Sequence, residues 1–141
     1  AKVIGEKAWT FASDIKDYGY SDQDNKFFLL NFLGPGPVDN LILRTCIVTN
    51  PPYNQSERFV RHALKCVQGH VAILARIAFL NSQTRYKLFT EFPPERIVVL
   101  SRRPSMPPGG RGIVASGGKT DFCWIVWCKD VYGPTTVCWA L

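Results

Sequence analysis

The stretch Asn50-Pro51-Pro52-Tyr53 combines residue types that can hold a planar amino group. A residue before proline is driven into extended geometry, so we expect Asn50 to project from the end of the apolar run that precedes it. Two consecutive prolines stiffen the turn and fix the direction of the Pro51 carbonyl. The Asn50 amide oxygen and this carbonyl can accept both hydrogens of one amine, which frees its nitrogen lone pair for attack. Tyr53 adds a flat face for a base, so the stretch predicts a preorganised group-transfer site.

A purely structural interpretation of this stretch, which we call the diproline motif (residues 50–53), stays open. A Pro-Pro pair makes a rigid turn wherever it occurs, and Tyr53 can serve in packing alone. The apolar run before the motif and the capped helix after it favour the functional interpretation, because both hold the turn in a fixed place.

The elements around the motif are predicted from apolar patterns. Runs of apolar and β-branched residues predict strands at 9–13, 41–48, 71–78, 97–100, Phe122–Cys128 and 135–140, while the run at 27–33 fits a strand or a helix. A helix capped by Asn54 or Ser56 is expected to end near Gly69, and a short helix is expected at 83–89. Residues 102–120 form a long loop rich in Pro, Gly, Arg and Ser, of the kind that is often functional.

This alternation predicts an α/β open sheet that is mostly parallel, with the last two strands forming an antiparallel hairpin around Gly133. Such sheets bind ligands beyond the carboxyl ends of their strands. Asp14 and the diproline motif both follow predicted strands, so we expect the site there. Asp14 is equally a common residue type for a turn or a cap, and that alternative stays open.

The diproline motif with Thr49 resembles the amino-methyltransferase motif of S-adenosylmethionine-dependent DNA adenine N6-methyltransferases, in particular phage-type and prophage-type members. Further segments resemble this family in the same order along most of the chain. They are Ala12-Ser13-Asp14-Ile15, Asp17-Tyr18-Gly19-Tyr20, Arg76-Ile77-Ala78-Phe79-Leu80, Arg85-Tyr86, Pro93-Pro94-Glu95-Arg96-Ile97, Arg103-Pro104-Ser105-Met106 and Cys123-Trp124-Ile125-Val126-Trp127.

The resemblance implies a Rossmann-like methyltransferase fold and methyl transfer from S-adenosylmethionine to the N6 amino group of adenine in DNA. It implies that Asp14 binds the ribose hydroxyls of the cofactor and that Ile15 and Asn50 also contact the cofactor. The catalytic residues it implies are Asn50, Pro51, Pro52 and Tyr53. Tyr53 would stack on an extruded base, since the N6 atom cannot be reached in line inside a duplex.

The sequence departs from the family pattern near its beginning. No strand with a glycine-rich loop precedes Asp14, where Gly5 stands alone, and Phe27-Phe28-Leu29 occupies the place of an expected acidic residue. The chain starts with Ala1, and its only methionine is Met106. We therefore expect one domain over residues 1–141, truncated at its N-terminus and lacking the first strand and half of the cofactor site.

Composition and charge narrow the classes of partner. Hydrophobic residues make up 46% of the chain and charged residues 20%, which is typical of a globular protein. The 17 Lys and Arg against 11 Asp and Glu give a net charge of +6, which suits a partner that carries phosphates. Arg102, Arg103, Arg111 and Lys119 lie in or beside the long loop and are predicted to contact DNA; a solvated loop is the alternative. The four tryptophans are expected in the core.

Cysteine usage predicts a reducing compartment. The five cysteines are odd in number and lack C-x-x-C spacing, so we expect them to be reduced, mostly buried, and not bound to metal. We expect neither His62 nor His70 to be a metal ligand, because we find no second ligand at helical spacing. The reduced cysteines lead us to expect a cytoplasmic protein. No apolar run approaches the roughly 20 residues of a membrane helix, so we expect no membrane partner.

Two other functions fit the same residues. The diproline motif can hold other planar amines, namely an RNA adenine, a cytosine N4 or a protein glutamine. A methyltransferase-like remnant without activity, which binds nucleic acid or a partner, is favoured by the lack of a first strand. A homo-oligomer stays open.

Overall fold

The computed structural model describes residues 11–17, 26–35, 46–105, 118–129, 131 and 133–141. The chain divides into two compact units, Ala1–Asn40 and Leu41–Leu141. The expectation of one domain over residues 1–141 stays a prediction. Arg111, Trp9 and most of the predicted strand at 41–48 lie outside the described residues.

The first unit contains a two-stranded parallel sheet of β1 (Phe11–Asp14) and β2 (Lys26–Leu29). Asp14 lies opposite Leu29 in the register, and its carbonyl accepts the Leu30 N–H at 2.8 Å. The predicted strand at 9–13 is confirmed in its described part, and the ambiguous run at 27–33 is a strand over its first residues.

The second unit contains a five-stranded sheet with the order β3-β4-β6-β5-β7. Its strands are β3 (Ile47–Thr49), β4 (His70–Arg76), β5 (Arg96–Leu100), β6 (Phe122–Cys128) and β7 (Thr136–Ala140). All five were expected from apolar runs, and the bounds of β6 are those predicted. The second unit, together with its helices, has the α/β composition that the alternation of patterns predicted.

The sheet is mixed, so the prediction of a mostly parallel sheet is wrong. The β3–β4 and β5–β7 pairs are parallel, whereas β6 is antiparallel to both of its neighbours, β4 and β5. No residue of β6 is exposed. The strand lies between β4 and β5, so both of its backbone edges are paired.

The predicted C-terminal hairpin is also wrong, because β5 lies between β6 and β7. Residues 129–135 connect strands two places apart, a separation of roughly 9.6 Å that such a connection spans easily. The start of β7 is held against β5 instead. The Thr135 hydroxyl donates to the Pro94 carbonyl at 2.6 Å, and the Thr136 N–H donates to the Glu95 carbonyl at 3.0 Å.

Among the described residues, two α-helices accompany the sheet, α1 (Ser56–Cys66) and α2 (Tyr86–Glu91). The periodicity predicts an apolar face made by Phe59, Val60, Ala63, Leu64 and Val67. All of these are buried except Phe59, which is half-buried. Helix α1 ends three residues before Gly69, the expected stop. Three-residue 3-10 turns occur at Tyr53–Gln55, Ile77–Phe79 and Gln83–Arg85.

One arginine links the two helices. The Arg61 guanidinium donates to the Glu91 carboxylate at 2.6 Å and to the Glu57 carboxylate at 3.0 Å. Both hydrogen bonds raise the pKa of Arg61 above its ordinary value, and the bond to Glu91 has the larger effect. The sequence pattern predicts Arg58, Arg61 and Lys65 on a solvated face of α1. Arg58 and Lys65 are exposed, whereas Arg61 is half-buried and has an intramolecular role.

The core lies between α1, α2 and the central strands. Its fully buried larger side chains include Val60, Val71, Ile73, Leu88, Cys123, Ile125 and Trp127. Trp127 confirms the core prediction for the tryptophans, and its indole N–H donates to the Phe92 carbonyl at 2.9 Å. Trp139 contradicts it, with 69% of its surface exposed, because β7 has only β5 as a neighbour within the described sheet.

The five cysteines are all free, as predicted. Cys66 and Cys123 are buried, Cys128 and Cys138 are half-buried, and Cys46 is exposed. Burial raises the pKa of the Cys123 thiol from 9.0 to about 11. Within the described residues, no helix is both long enough and apolar enough to span a bilayer.

The buried Cys123 thiol predicts a specific loss of stability at alkaline pH. Between pH 9 and pH 11 the unfolded chain loses this proton and the folded chain keeps it, so the free energy of unfolding falls as pH rises. We expect the wild type to lose about 2 kcal/mol more than Cys123→Ala over this range in urea unfolding. A Cys46→Ala control should follow the wild type. Parallel pH profiles for the wild type and Cys123→Ala would contradict the prediction.

Candidate active site

The residues of the diproline motif lie at one edge of the five-stranded sheet. Strands β3 and β4 are parallel, so their carboxyl ends meet at this edge, and the antiparallel β6 begins there. Arg76, the last residue of β4, lies directly opposite Phe122, the first residue of β6. We call this side the carboxyl edge: residues 50–53 after β3, Arg76, the segments 101–105 and 118–121, and Phe122.

The motif is anchored by its first proline. Pro51 is fully buried, while the Asn50 and Pro52 side chains are exposed. The Pro52 carbonyl accepts the Gln55 N–H at 2.9 Å and the Ser56 hydroxyl at 3.2 Å, which ties the turn to the start of α1. Ser56 therefore acts as a donor to the turn, and no side-chain cap bond forms at this helix start.

The two proline carbonyls differ in their hydrogen bonding. Within the described part of the chain, no hydrogen bond reaches the Pro51 carbonyl, whereas that of Pro52 accepts two. The exposed Asn50 amide adjoins this carbonyl in sequence. The use of the Asn50 amide and the Pro51 carbonyl as paired acceptors stays a prediction.

Tyr53 packs between two residues of the carboxyl edge. The Arg76 guanidinium carbon lies 4.2 Å from the centroid of the Tyr53 ring, in cation–π geometry, and the Phe122 ring lies 6.3 Å away at an interplanar angle of 39°. The Tyr53 side chain is still 42% exposed. Tyr53 thus has a packing role, as the structural interpretation expected, and also keeps accessible surface.

Arg76 is the site residue that the motif did not indicate. Its charge interrupts the end of an otherwise apolar strand, which was the signal available in the sequence. The segment after it is fixed by Arg85, which donates to the Phe79 carbonyl at 2.8 Å and to the Ala78 carbonyl at 3.2 Å. The Ile77 N–H also donates to the Asp121 carbonyl at 3.0 Å, so this connection is tied to the strand beside it.

The predicted DNA-contacting residues share this edge where they are described. Strands β4 and β5 are both antiparallel to β6, so β5 ends at the carboxyl edge and is followed by Arg102 and Arg103. Lys119 precedes β6 at the same edge. Arg102 and Lys119 are exposed, whereas Arg103 forms an ion pair with Asp121 at 2.6 Å. Arg111 lies outside the described residues.

The two described ends of the long loop pack closely. A Cβ atom placed on Gly118 would lie 2.8 Å from the Arg103 carbonyl oxygen and still closer to that of Pro104. Because these neighbours are backbone atoms, they cannot move aside as a flexible side chain would. Glycine at this position therefore lets the segments that carry Arg103 and Lys119 approach each other.

The predicted cofactor residues Asp14 and Ile15 lie in the first unit, at the end of β1. One carboxylate oxygen of Asp14 accepts the Lys16 N–H at 3.0 Å, so the turn role left open for this residue is realised. Ile15 is 68% exposed, unusually high for this residue type. Both side chains lie at the surface.

The spacing argument used for His62 does not hold, although the prediction that it binds no metal stays untested. His62 and Cys66 are four residues apart in α1, and their Nε2 and Sγ atoms are 3.6 Å apart. A second potential ligand therefore does occur at helical spacing, because one turn of an α-helix brings residues i and i+4 together.

Gly118 provides a test of the loop geometry. We expect Gly118→Ala to lower the free energy of unfolding by about 1–3 kcal/mol, because the added methyl group would overlap backbone atoms. Gly133→Ala is the matched control, since nothing lies within 4 Å of its Cβ position. Its expected change stays within about 0.5 kcal/mol in urea unfolding. Equal effects of the two substitutions would disagree with this close approach.

No family model matches the sequence. No curated protein matches it either. The functional assignment therefore depends on the residues of the carboxyl edge and on the resemblance of the motifs.

Proposed function

We propose that this protein transfers a methyl group from S-adenosylmethionine to the N6 amino group of adenine in DNA. The observation that carries the proposal is the diproline corner, where an exposed Asn50 and a buried Pro51 follow β3 beside the Tyr53–Arg76 pair. The finer fold assignment, a Rossmann-like methyltransferase sheet, belongs to the same proposal. It is supported by the β3–α1–β4 unit, in which two parallel strands are joined by a helix and the motif follows the first strand.

Asn50 and Pro51 would hold the amino group. The Asn50 amide oxygen would accept one amine hydrogen and the Pro51 carbonyl the other, which weakens conjugation of the nitrogen lone pair with the ring. Burial of Pro51 fixes the backbone of the corner, and with it the direction of this carbonyl. S-adenosylmethionine would supply a methyl group on a positively charged sulfur. The nitrogen lone pair would take this methyl with S-adenosylhomocysteine as the leaving group, and the surplus proton on nitrogen would pass to solvent.

Tyr53 and Arg76 would position the base. The guanidinium over the ring fixes the orientation of Tyr53 and extends its flat surface. A base can stack on either an aromatic ring or a guanidinium plane. The positive charge of Arg76 also attracts the phosphate that accompanies an extruded nucleotide. This pair would therefore receive the base whose amino group Asn50 holds.

The DNA backbone would lie along the exposed cations of the same edge. Arg102 and Lys119 have no acidic partner within the described residues, whereas Arg103 is neutralised by Asp121. The net charge of +6 supports attraction to phosphates over a longer range. We therefore propose Arg102 and Lys119 as phosphate contacts, with a smaller contribution from Arg103.

The residues at the end of β1 fit part of the cofactor. An exposed carboxylate at a strand end can accept ribose hydroxyls, and the exposed Ile15 next to it can contact an adenine ring. The Asp14 turn with Lys16 leaves the carboxylate at the surface in a fixed orientation. These two residues support a nucleoside site, and the glycine-rich part of such a site has no counterpart in the sequence before Asp14.

A methyl-transfer assay tests the proposal. The natural full-length protein that contains residues 1–141 is incubated with S-adenosylmethionine carrying a labelled methyl group and with adenine-containing DNA. We expect label on adenine N6, and we expect Asn50→Ala to lower the rate by about 100-fold or more, because it removes one preorganised acceptor. Asn54→Ala, the same substitution in the adjoining exposed turn, should leave the rate unchanged.

Parallel reactions with RNA, cytosine-only DNA and a glutamine peptide separate the other acceptors. If one of these acceptors is labelled and DNA adenine is not, the proposed substrate is wrong but methyl transfer at the diproline motif is retained. Absence of label on every acceptor would refute methyl transfer and leave a binding protein without activity.

The salt dependence of DNA binding tests the phosphate contacts. We expect Arg102→Ala and Lys119→Ala each to reduce the slope of log affinity against log salt concentration by about 0.9, because each removes one neutralised phosphate of duplex DNA. Arg58→Ala, which removes the same charge from an exposed face of α1, is the control and should leave the slope unchanged. If Arg58→Ala has an equal effect, the attraction is a property of the net charge and not of the carboxyl edge.

A further inference from the structure

Three metal-ligating side chains meet at the edge of the sheet opposite the carboxyl edge. His70 begins β4, Cys128 ends β6, and Glu95 immediately precedes β5. One ligand atom from each lies within 4.8 Å of those of the other two. The His70 Nε2 and Glu95 Oε2 atoms are separated by 3.5 Å. We propose that these residues, the HEC cluster (His70, Glu95 and Cys128), bind one divalent transition-metal ion of the Zn²⁺ type.

The sheet preorganises the HEC cluster. His70 and Cys128 are direct partners in the antiparallel β4–β6 ladder, so their side chains project on the same face at short distance. Glu95 is held through its backbone, since its carbonyl accepts both the N–H and the hydroxyl of Thr136 at 3.0 and 3.2 Å. Two paired strands and the residue that leads into a third thus bring the ligands together.

A buried carboxylate oxygen supports a cation at this point. Oε2 of Glu95 is almost inaccessible to solvent and has no hydrogen-bond partner within the described residues. The other oxygen, Oε1, lies 3.6 Å from the Arg96 guanidinium. An unsatisfied buried carboxylate oxygen is costly, and native proteins rarely leave one without a donor or an ion. A metal ion between Oε2, His70 and Cys128 would satisfy it.

The donor set selects the kind of metal. One imidazole nitrogen, one carboxylate oxygen and one thiolate sulfur suit Zn²⁺ and Co²⁺, whereas Mg²⁺ and Ca²⁺ prefer oxygen ligands only. Tetrahedral zinc bonds place ligand atoms about 3.3–3.7 Å apart, which the His70–Glu95 separation already matches. The widest separation in the cluster needs to contract by about 1 Å. Three protein ligands leave a fourth position for water or another molecule.

A neighbouring thiol favours the required orientation of His70. The Cys46 sulfur lies 4.0 Å from Nδ1 of His70, on the opposite side of the ring from Glu95. When Nδ1–H donates to the Cys46 sulfur, the Nε2 lone pair faces the cluster, as metal binding requires. On binding, the Cys128 thiol would release its proton to solvent and bind as the thiolate. His70, Glu95 and Cys128 lie far apart in the sequence, so motif spacing could not indicate them as one group. The expectation of no metal site stays untested.

Cobalt provides a direct test of the HEC cluster in the full chain. Co²⁺ added to the reduced protein, one equivalent per chain, should produce a sulfur-to-cobalt charge-transfer band that Zn²⁺ removes. Cys128→Ser should abolish the band. Cys138→Ser is the matched control, since this half-buried thiol on β7 contacts the Ile97 carbonyl and belongs to no metal-ligand group among the described residues. It should leave the band unchanged.

Zn²⁺ affinity, measured by competition with a chelating dye, tests the other two ligands. Glu95→Gln keeps the size of the side chain and should weaken Zn²⁺ binding by at least about tenfold, as should His70→Ala. Wild-type melting temperature should rise with added Zn²⁺, and that of Glu95→Gln should not.

The proposal is overturned if no cobalt band forms, or if the band survives in Cys128→Ser. It is also overturned if Cys46→Ser abolishes the band while Cys128→Ser does not, or if Glu95→Gln binds Zn²⁺ as tightly as the wild type. In those cases His70 and Glu95 form an ordinary ion pair.

Discussion

The insertion of β6 between β4 and β5, antiparallel to both, decides which residues meet at the two edges of the sheet. At its beginning, β6 places Phe122 opposite Arg76 and against Tyr53. At its end, β6 places Cys128 opposite His70. The two candidate sites, one built on a diproline turn and one on three metal-ligating side chains, therefore depend on the same ladder of backbone hydrogen bonds.

The carboxyl edge combines rigid and adaptable parts. The buried Pro51 and the two hydrogen bonds to the Pro52 carbonyl fix the backbone of the corner. The exposed side chains around it are longer and carry charge, with Arg76 stacked on Tyr53 and Arg103 paired with Asp121. The proposed methyl transfer would need a fixed backbone to position the amino group and adjustable cations to contact the flexible DNA backbone.

Features that depend on neighbouring residues in sequence were predictable, and features that depend on strand pairing were not. The apolar run Phe122–Cys128 and the amphipathic face of α1 are local patterns, and both are confirmed. The hairpin prediction failed because the turn signal around Gly133 indicates only that the chain reverses there. It does not indicate that β7 pairs with β5 and not with β6. For the same reason the sequence indicated Tyr53 as a flat surface but gave no sign of its contact with Arg76.

The position of β6 also sets an order of events during synthesis. Its partner β4 is complete at Arg76, but β6 begins only at Phe122, so a long segment of chain must emerge before the centre of the sheet can close. Pairing between segments that are far apart in sequence is slow, because the chain between them must lose conformational entropy before the strands can pair. Until then the edge of β4 that faces β6 presents unpaired backbone N–H and C=O groups to any other strand that is exposed.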